Sequence, residues 1–150
     1  MNFELSNIPE RPARPRESGL TMVMDKGLSL RESEDLISAS GHLIDLVKLG
    51  FGTSYITQNL QQKIDLYHKA GLKVYLGGTL FEAFLIRGQL DDYKRLLDRL
   101  KLETAEISDG SIELDHATKC ELISDLSKNF RVLSEVGSKE AGIIIHPNKW

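Results

Sequence analysis

Three charged residues sit where strand alternation turns them to one side. In residues 44–49, Val47 and Leu49 face one way and Lys48 the other. In residues 104–108, Ala105 and Ile107 share one face, while Thr104, Glu106 and Ser108 share the opposite one. In residues 131–136, Val132 and Val136 oppose Glu135. The apolar faces should meet helices, so Lys48, Glu106 and Glu135 should converge on one interior. Isolated charges withdrawn from water are costly, so such a cluster needs mutual pairing, a metal or a ligand. Two adjacent carboxylates should also raise the pKa of one of them unless a cation lies between them, and Lys48 is a cation at hand. Taken singly, charges at strand ends are often solvated or paired for structure. Three on one inward face, beside glycine-rich segments, point instead to a site.

The elements that must position them alternate. The first apolar run is residues 20–25. Ser29, three residues before Glu32, predicts a capping box that opens a helix ending near Gly41, a C′ position. A second strand over 44–49 precedes a helix with Leu60, Ile64 and Tyr67 on one face, stopping at Gly71. A third strand over 73–76 is followed by a helix with Leu90, Tyr93, Leu97 and Leu100 on one side. A fourth strand covers 104–108. Asp115 caps a further helix, with Cys120, Ile123 and Leu126 facing inward, and a fifth strand covers 131–136. Strand and helix in strict alternation are the signature of an α/β fold with a parallel sheet, either an open doubly wound sheet or a closed barrel. In both, ligands bind at the carboxyl ends of the strands, and here those ends are polar or glycine-rich: Asp25-Lys26-Gly27, Gly50-Phe51-Gly52-Thr53-Ser54, Gly77-Gly78-Thr79 with Glu82 beyond, Ser108-Asp109-Gly110, and Gly137 with Lys139.

Composition narrows the function classes. The 150 residues allow one domain over 1–150, preceded by an extended arm over 1–19 in which Pro9, Pro12 and Pro15 interleave with Arg11, Arg14 and Arg16. No apolar run approaches a membrane span, and the start lacks a secretion signal, so no membrane is expected. A single cysteine, Cys120, fits a reducing cytoplasm and reads as a small core residue. The net charge of -3 argues against a nucleic-acid surface but leaves room for a small anionic substrate. His42, His68, His116 and His146 are scattered, without the spacing of a zinc site. Gly50-Phe51-Gly52 and Gly77-Gly78 complete no phosphate-loop fingerprint and read as tight turns.

Five segments, in order, carry a resemblance: Arg14-Pro15-Arg16-Glu17-Ser18-Gly19-Leu20-Thr21-Met22-Val23-Met24-Asp25-Lys26-Gly27, Asp45-Leu46-Val47-Lys48-Leu49-Gly50-Phe51-Gly52-Thr53-Ser54, Gly77-Gly78-Thr79-Leu80-Phe81-Glu82, Glu106-Ile107-Ser108-Asp109-Gly110-Ser111-Ile112-Glu113-Leu114 and Ser134-Glu135-Val136-Gly137-Ser138-Lys139. Together they resemble the phosphosulfolactate synthase family, and they are similar also to its plant branch of heat-stress-associated proteins. The resemblance implies a (β/α)8 TIM-type barrel, of which this chain covers about the first five β/α units. It implies a carbon–sulfur lyase acting as a synthase in coenzyme M formation: sulfite adds to C3 of phosphoenolpyruvate, Mg2+ stabilises the resulting enolate, and a general acid protonates C2 to give (2R)-2-phospho-3-sulfolactate. In that reading Glu106 and Glu135, with Asp25, hold the metal. Lys48, Lys139 and Glu82 are the catalytic candidates, one of the two lysines being the acid. Arg16, Lys26 and Ser108 bind the anionic substrates.

The alternatives are a non-catalytic, stress-associated protein that acts through partner binding, and an unrelated doubly wound domain. The segment 143–150, with Pro147 as a helix-start residue, reads as the approach to another helix. Five parallel strands leave two open edges, so this 150-residue piece is expected to form homo-oligomers or remain partly unfolded and, by itself, to be inactive.

Overall fold

The computed structural model describes Phe3 and residues 5–137. Strands β1 (Met22–Asp25), β2 (Leu46–Leu49), β3 (Lys73–Leu76), β4 (Thr104–Ile107) and β5 (Arg131–Ser134) form one sheet in the order β1-β2-β3-β4-β5. All four pairings are parallel. A doubly wound sheet breaks its strand order at a switch point; this sheet runs in chain order throughout, as the first strands of a (β/α) barrel do. The helices are α1 (Leu30–Ser40), α2 (Leu60–Lys69), α3 (Gly78–Leu85), α4 (Leu90–Arg99) and α5 (His116–Leu126).

The register divides the sheet into two faces. Val47, Leu49, Val74, Leu76, Ala105 and Ile107 lie in a core shared with Ile64 and Tyr67 of α2, Phe81 of α3, Leu97 of α4 and Leu126 of α5. This is the helix-facing side. The opposite, lumen side carries Met24, Lys48, Tyr75 and Glu106, two of them register partners of Lys48.

Local signals set most element ends. Ser29 and Glu32 form the reciprocal capping box of α1. Asp115 caps α5 by accepting from the Thr118 N–H at 3.0 Å. Gly71 (φ 73°) ends α2 in a Schellman turn, with Gly71 N–H to His68 O at 2.9 Å and Leu72 N–H to Tyr67 O at 3.1 Å.

Three local expectations need correction. Gly41 is not a left-handed C′ residue: it stays right-handed (φ -54°) and opens a 3-10 turn, Gly41–Leu43. Cys120 is exposed, not core. Lys119, Leu122 and Leu126 are the buried positions of α5, and Cys120 falls off that stripe. The buried Lys119 was hidden by its charge, which finds a partner only in the folded chain. Lastly, α3 follows β3 directly, where the sequence reading placed turns. Leu80 and Phe81 are buried and Phe84 and Leu85 partly so, the i, i+1, i+4, i+5 spacing of one helix face, but eight residues are too short a window for that period to stand out from a run of turns.

Candidate active site

Lys48, near the carboxyl end of β2, and Glu106, near that of β4, meet across the intervening strand. The ammonium lies 2.7 Å from Glu106 Oε2 and 2.9 Å from Oε1, and both residues are buried. Glu106 Oε2 also accepts the Gly78 N–H at the start of α3. A buried ion pair survives only if its remaining lone pairs are satisfied, and this backbone donor does so.

The glycines make the crossing possible. Gly77 has an ordinary extended backbone (φ -68°, ψ 152°), so no turn demands it. A Cβ there would lie 3.0 Å from Lys48 Cε and 3.1 Å from Leu49 O. A Cβ at Gly78 would lie 2.3 Å from Ser108 Cβ. The pair is therefore a close-approach device that lets Lys48 pass over β3 and brings the α3 N-terminus against β4, and the tight-turn reading is corrected.

A second knot joins α3 to the loop after β4. Glu82, 2% exposed, accepts the Ser108 hydroxyl and the Gly110 N–H, the latter at 2.9 Å, through Oε1. Its Oε2 is buried without a hydrogen-bond partner among the described residues. Ser108 thus spends its proton on Glu82. Lys119 makes a third link: its ammonium reaches Asp109 Oδ1 at 2.8 Å and the Glu135 carbonyl at 2.6 Å, tying the β4 loop to the end of β5. The sequence reading missed Lys119; its place four residues after the Asp115 cap, on the face that holds Leu122 and Leu126, was the available signal.

Glu135 stands one residue past β5. Its N–H donates to Ile107 O at 2.9 Å, which keeps it in line with the sheet, and its charge is felt by the lumen residue Tyr75. Lys26 is exposed, with its ammonium 5.6 Å from the centre of the Phe51 ring. Lys139 and the segment 143–150 lie outside the described residues.

Two expected site residues are elsewhere. Asp25 is aligned with Leu49, on the helix-facing side. There it pairs with Lys63 of α2 at 2.6 Å, accepts from Tyr67 at 2.9 Å, and takes the N–H groups of Gly27 and Leu28, each at 2.8 Å. Its shared parity with the core residue Val23 was the readable sign. Arg16 lies at the amino end of the sheet, 3.1 Å from Asp45 Oδ1. Asp45 also binds Arg11 at 3.1 Å and the Thr21 N–H at 2.7 Å, so the arginines of the arm pin it beneath the strands, far from their carboxyl edge.

Among the described residues, no group of three or more acidic, histidine or cysteine side chains is arranged to hold a metal. Mg2+, however, is often bound by one or two carboxylates together with the oxygens of its ligand. Glu135 fits that mode, since its carboxylate has no side-chain partner among the described residues; the charges of Glu135 and Glu106 both act on Tyr75.

A sequentially ordered parallel α/β sheet, with helices on one face and Lys48 and Glu106 on the other, is the arrangement of part of a (β/α) barrel. The family model for (2R)-phospho-3-sulfolactate synthase (ComA) matches residues 9–150, and the chain belongs to this family. It is 36% identical over 141 residues to a phosphosulfolactate synthase of Bacillus subtilis, covering 94% of this chain and 56% of that protein. It is 37% identical over 135 residues to the Methanothermobacter thermautotrophicus phosphosulfolactate synthase (88% and 52% covered). To that of Methanocaldococcus jannaschii it is 40% identical over 126 residues (82% and 50% covered). The chain spans about half the length of these relatives. None of these matches supports the reading as a non-catalytic, stress-associated protein.

Proposed function

We propose that this protein acts as a phosphosulfolactate synthase, joining sulfite to C3 of phosphoenolpyruvate and a proton to C2. The observation that carries the reading is the buried Lys48–Glu106 pair at the carboxyl edge of a sheet that belongs to this family. Attack at C3 pushes charge onto the substrate carboxylate. The groups needed are cations around that carboxylate and an acid over C2. Lys48 faces the lumen with its position fixed by Glu106, ready to neutralise an anionic oxygen. Glu135 would hold Mg2+, which when bound supplies positive charge to the enolate, and Glu106, engaged by Lys48 and Gly78, would act on it through water. Glu82, through Ser108 and Gly110, holds the β4 loop that borders the site. Lys26, exposed at the rim, is placed to draw in anions.

The acid is Lys48 or Lys139, and two variants separate them. Substituting the acid by methionine leaves phosphoenolpyruvate binding in place and abolishes turnover, whereas losing the anchor weakens binding. The test of the whole reading is a product assay by mass spectrometry on the full-length protein with phosphoenolpyruvate, sulfite and Mg2+. Formation of 2-phospho-3-sulfolactate is expected; unconsumed phosphoenolpyruvate at every Mg2+ concentration would overturn the reading.

A further inference from the structure

Lys48 and Glu106 are not alone on the lumen side. Tyr75 of β3 is the register partner of Lys48 and alternates with the core residues Val74 and Leu76, so it shares the lumen face. It is 2% exposed. A buried tyrosine hydroxyl usually finds a hydrogen-bond partner, as Tyr67 does on the other face with Asp25 at 2.9 Å. The Tyr75 hydroxyl has none among the described residues. Nor is it among the polar atoms sealed from solvent without a partner, so its oxygen keeps a little exposure. Glu106, on the same lumen face, engages Lys48 and Gly78 through its oxygens. Burial, and then the charges of Glu106 and Glu135, push the Tyr75 phenol well above its ordinary value, so it stays protonated and is a standing donor.

We propose that Tyr75 is a substrate-contacting residue, donating a hydrogen bond to an anionic oxygen of the phosphorylated three-carbon acid whose charge Lys48 neutralises. The inference rests on the functional reading above and adds to it a residue that fixes the orientation of the substrate. A neutral donor suits the place: it adds a directional bond without a second cation that would compete with Lys48 for Glu106.

The experiment compares full-length wild type with Tyr75→Phe, which keeps the packed ring and removes only the hydroxyl. Calorimetric titration with phosphoenolpyruvate, steady-state kinetics in both substrates and thermal melting are read together. A hydrogen bond to a charged group predicts phosphoenolpyruvate affinity lowered about tenfold or more, with the sulfite KM and the melting temperature unchanged. Wild-type affinity in Tyr75→Phe overturns the assignment. So does a lowered melting temperature in which both KM values rise together, because that pattern marks a packing role. Wild-type protein that neither binds nor converts phosphoenolpyruvate overturns the functional reading and the ligand named here with it; active wild type with an unaltered variant overturns the Tyr75 assignment alone.

Discussion

Lys48 and Glu106 depend on each other, and the dependence is asymmetric. Removing one partner of a buried pair strands the other charge, which costs about 3–5 kcal/mol, whereas replacing both by neutral groups of similar volume is often tolerated. Lys48→Met and Glu106→Gln, each alone, should therefore destabilise the full-length protein by about that amount in chemical denaturation, while the double variant should recover much of the loss yet remain inactive. Additive single effects in the cycle would deny the pairing. Asp25 is the corresponding charge on the helix side. Burial opposes its ionisation, but Lys63, the N–H groups of Leu28 and Gly27, and Tyr67 outweigh it and hold the carboxyl below its ordinary value of 3.8. A carboxyl lowered in the folded state favours folding above its unfolded pKa, and that contribution is lost as pH falls below about 3.8 through the folded value. Asp25→Asn should flatten the acid limb of a melting-temperature profile below that pH and, by stranding Lys63, lower stability at neutral pH. An unchanged acid limb would assign acid lability to other groups.

α3 is held by what its first residues lack. Gly78→Ala places a Cβ 2.3 Å from Ser108 Cβ, so either α3 or β4 must move, and the donor to Glu106 moves with it. We expect a loss of about 1–3 kcal/mol, the usual range for overpacking, and a fall in turnover greater than stability alone explains. A fully stable and active Gly78→Ala variant would refute the close-approach argument. At the end of α4 the reverse holds. Lys101 adopts a left-handed conformation (φ 56°) in the position that Gly71 fills after α2, with Leu102 N–H to Leu97 O at 2.9 Å closing the turn. A side chain there is strained, so Lys101→Gly should stabilise by about 0.5–1 kcal/mol once the greater unfolded-state freedom of glycine is offset. A lowered melting temperature would show that Lys101 makes compensating contacts.

The sheet pairs β1 only with β2, and β5 only with β4, among the described residues. Among the described residues both outer strands thus present unpaired backbone groups. Edges of this kind template association with other strands. We expect the 150-residue chain to elute larger than a monomer in size-exclusion chromatography with light scattering. A monodisperse, cooperatively melting monomer would show that the edges are covered from within the chain.

Strand alternation, helix caps and the glycine stop after α2 act over a few residues, so the parallel α/β order, the capping box of Ser29 and Glu32 and the inward parity of Lys48 and Glu106 were all legible in the linear chain. Parity also marked Asp25 as helix-facing, although carboxylate chemistry suggested otherwise. The partners of the charges were not legible. Lys48 finds Glu106 across 58 residues, Asp25 finds Tyr67 across 42, and Arg11 finds Asp45 across 34. A side chain's type states only that it needs a partner; which one it gets depends on register, on helix rotation and on where glycine leaves room. That is why Arg16 and Ser108, both expected to bind substrate, serve the arm and Glu82 instead, and why Lys119 and Tyr75 come into view only when the strands are set side by side.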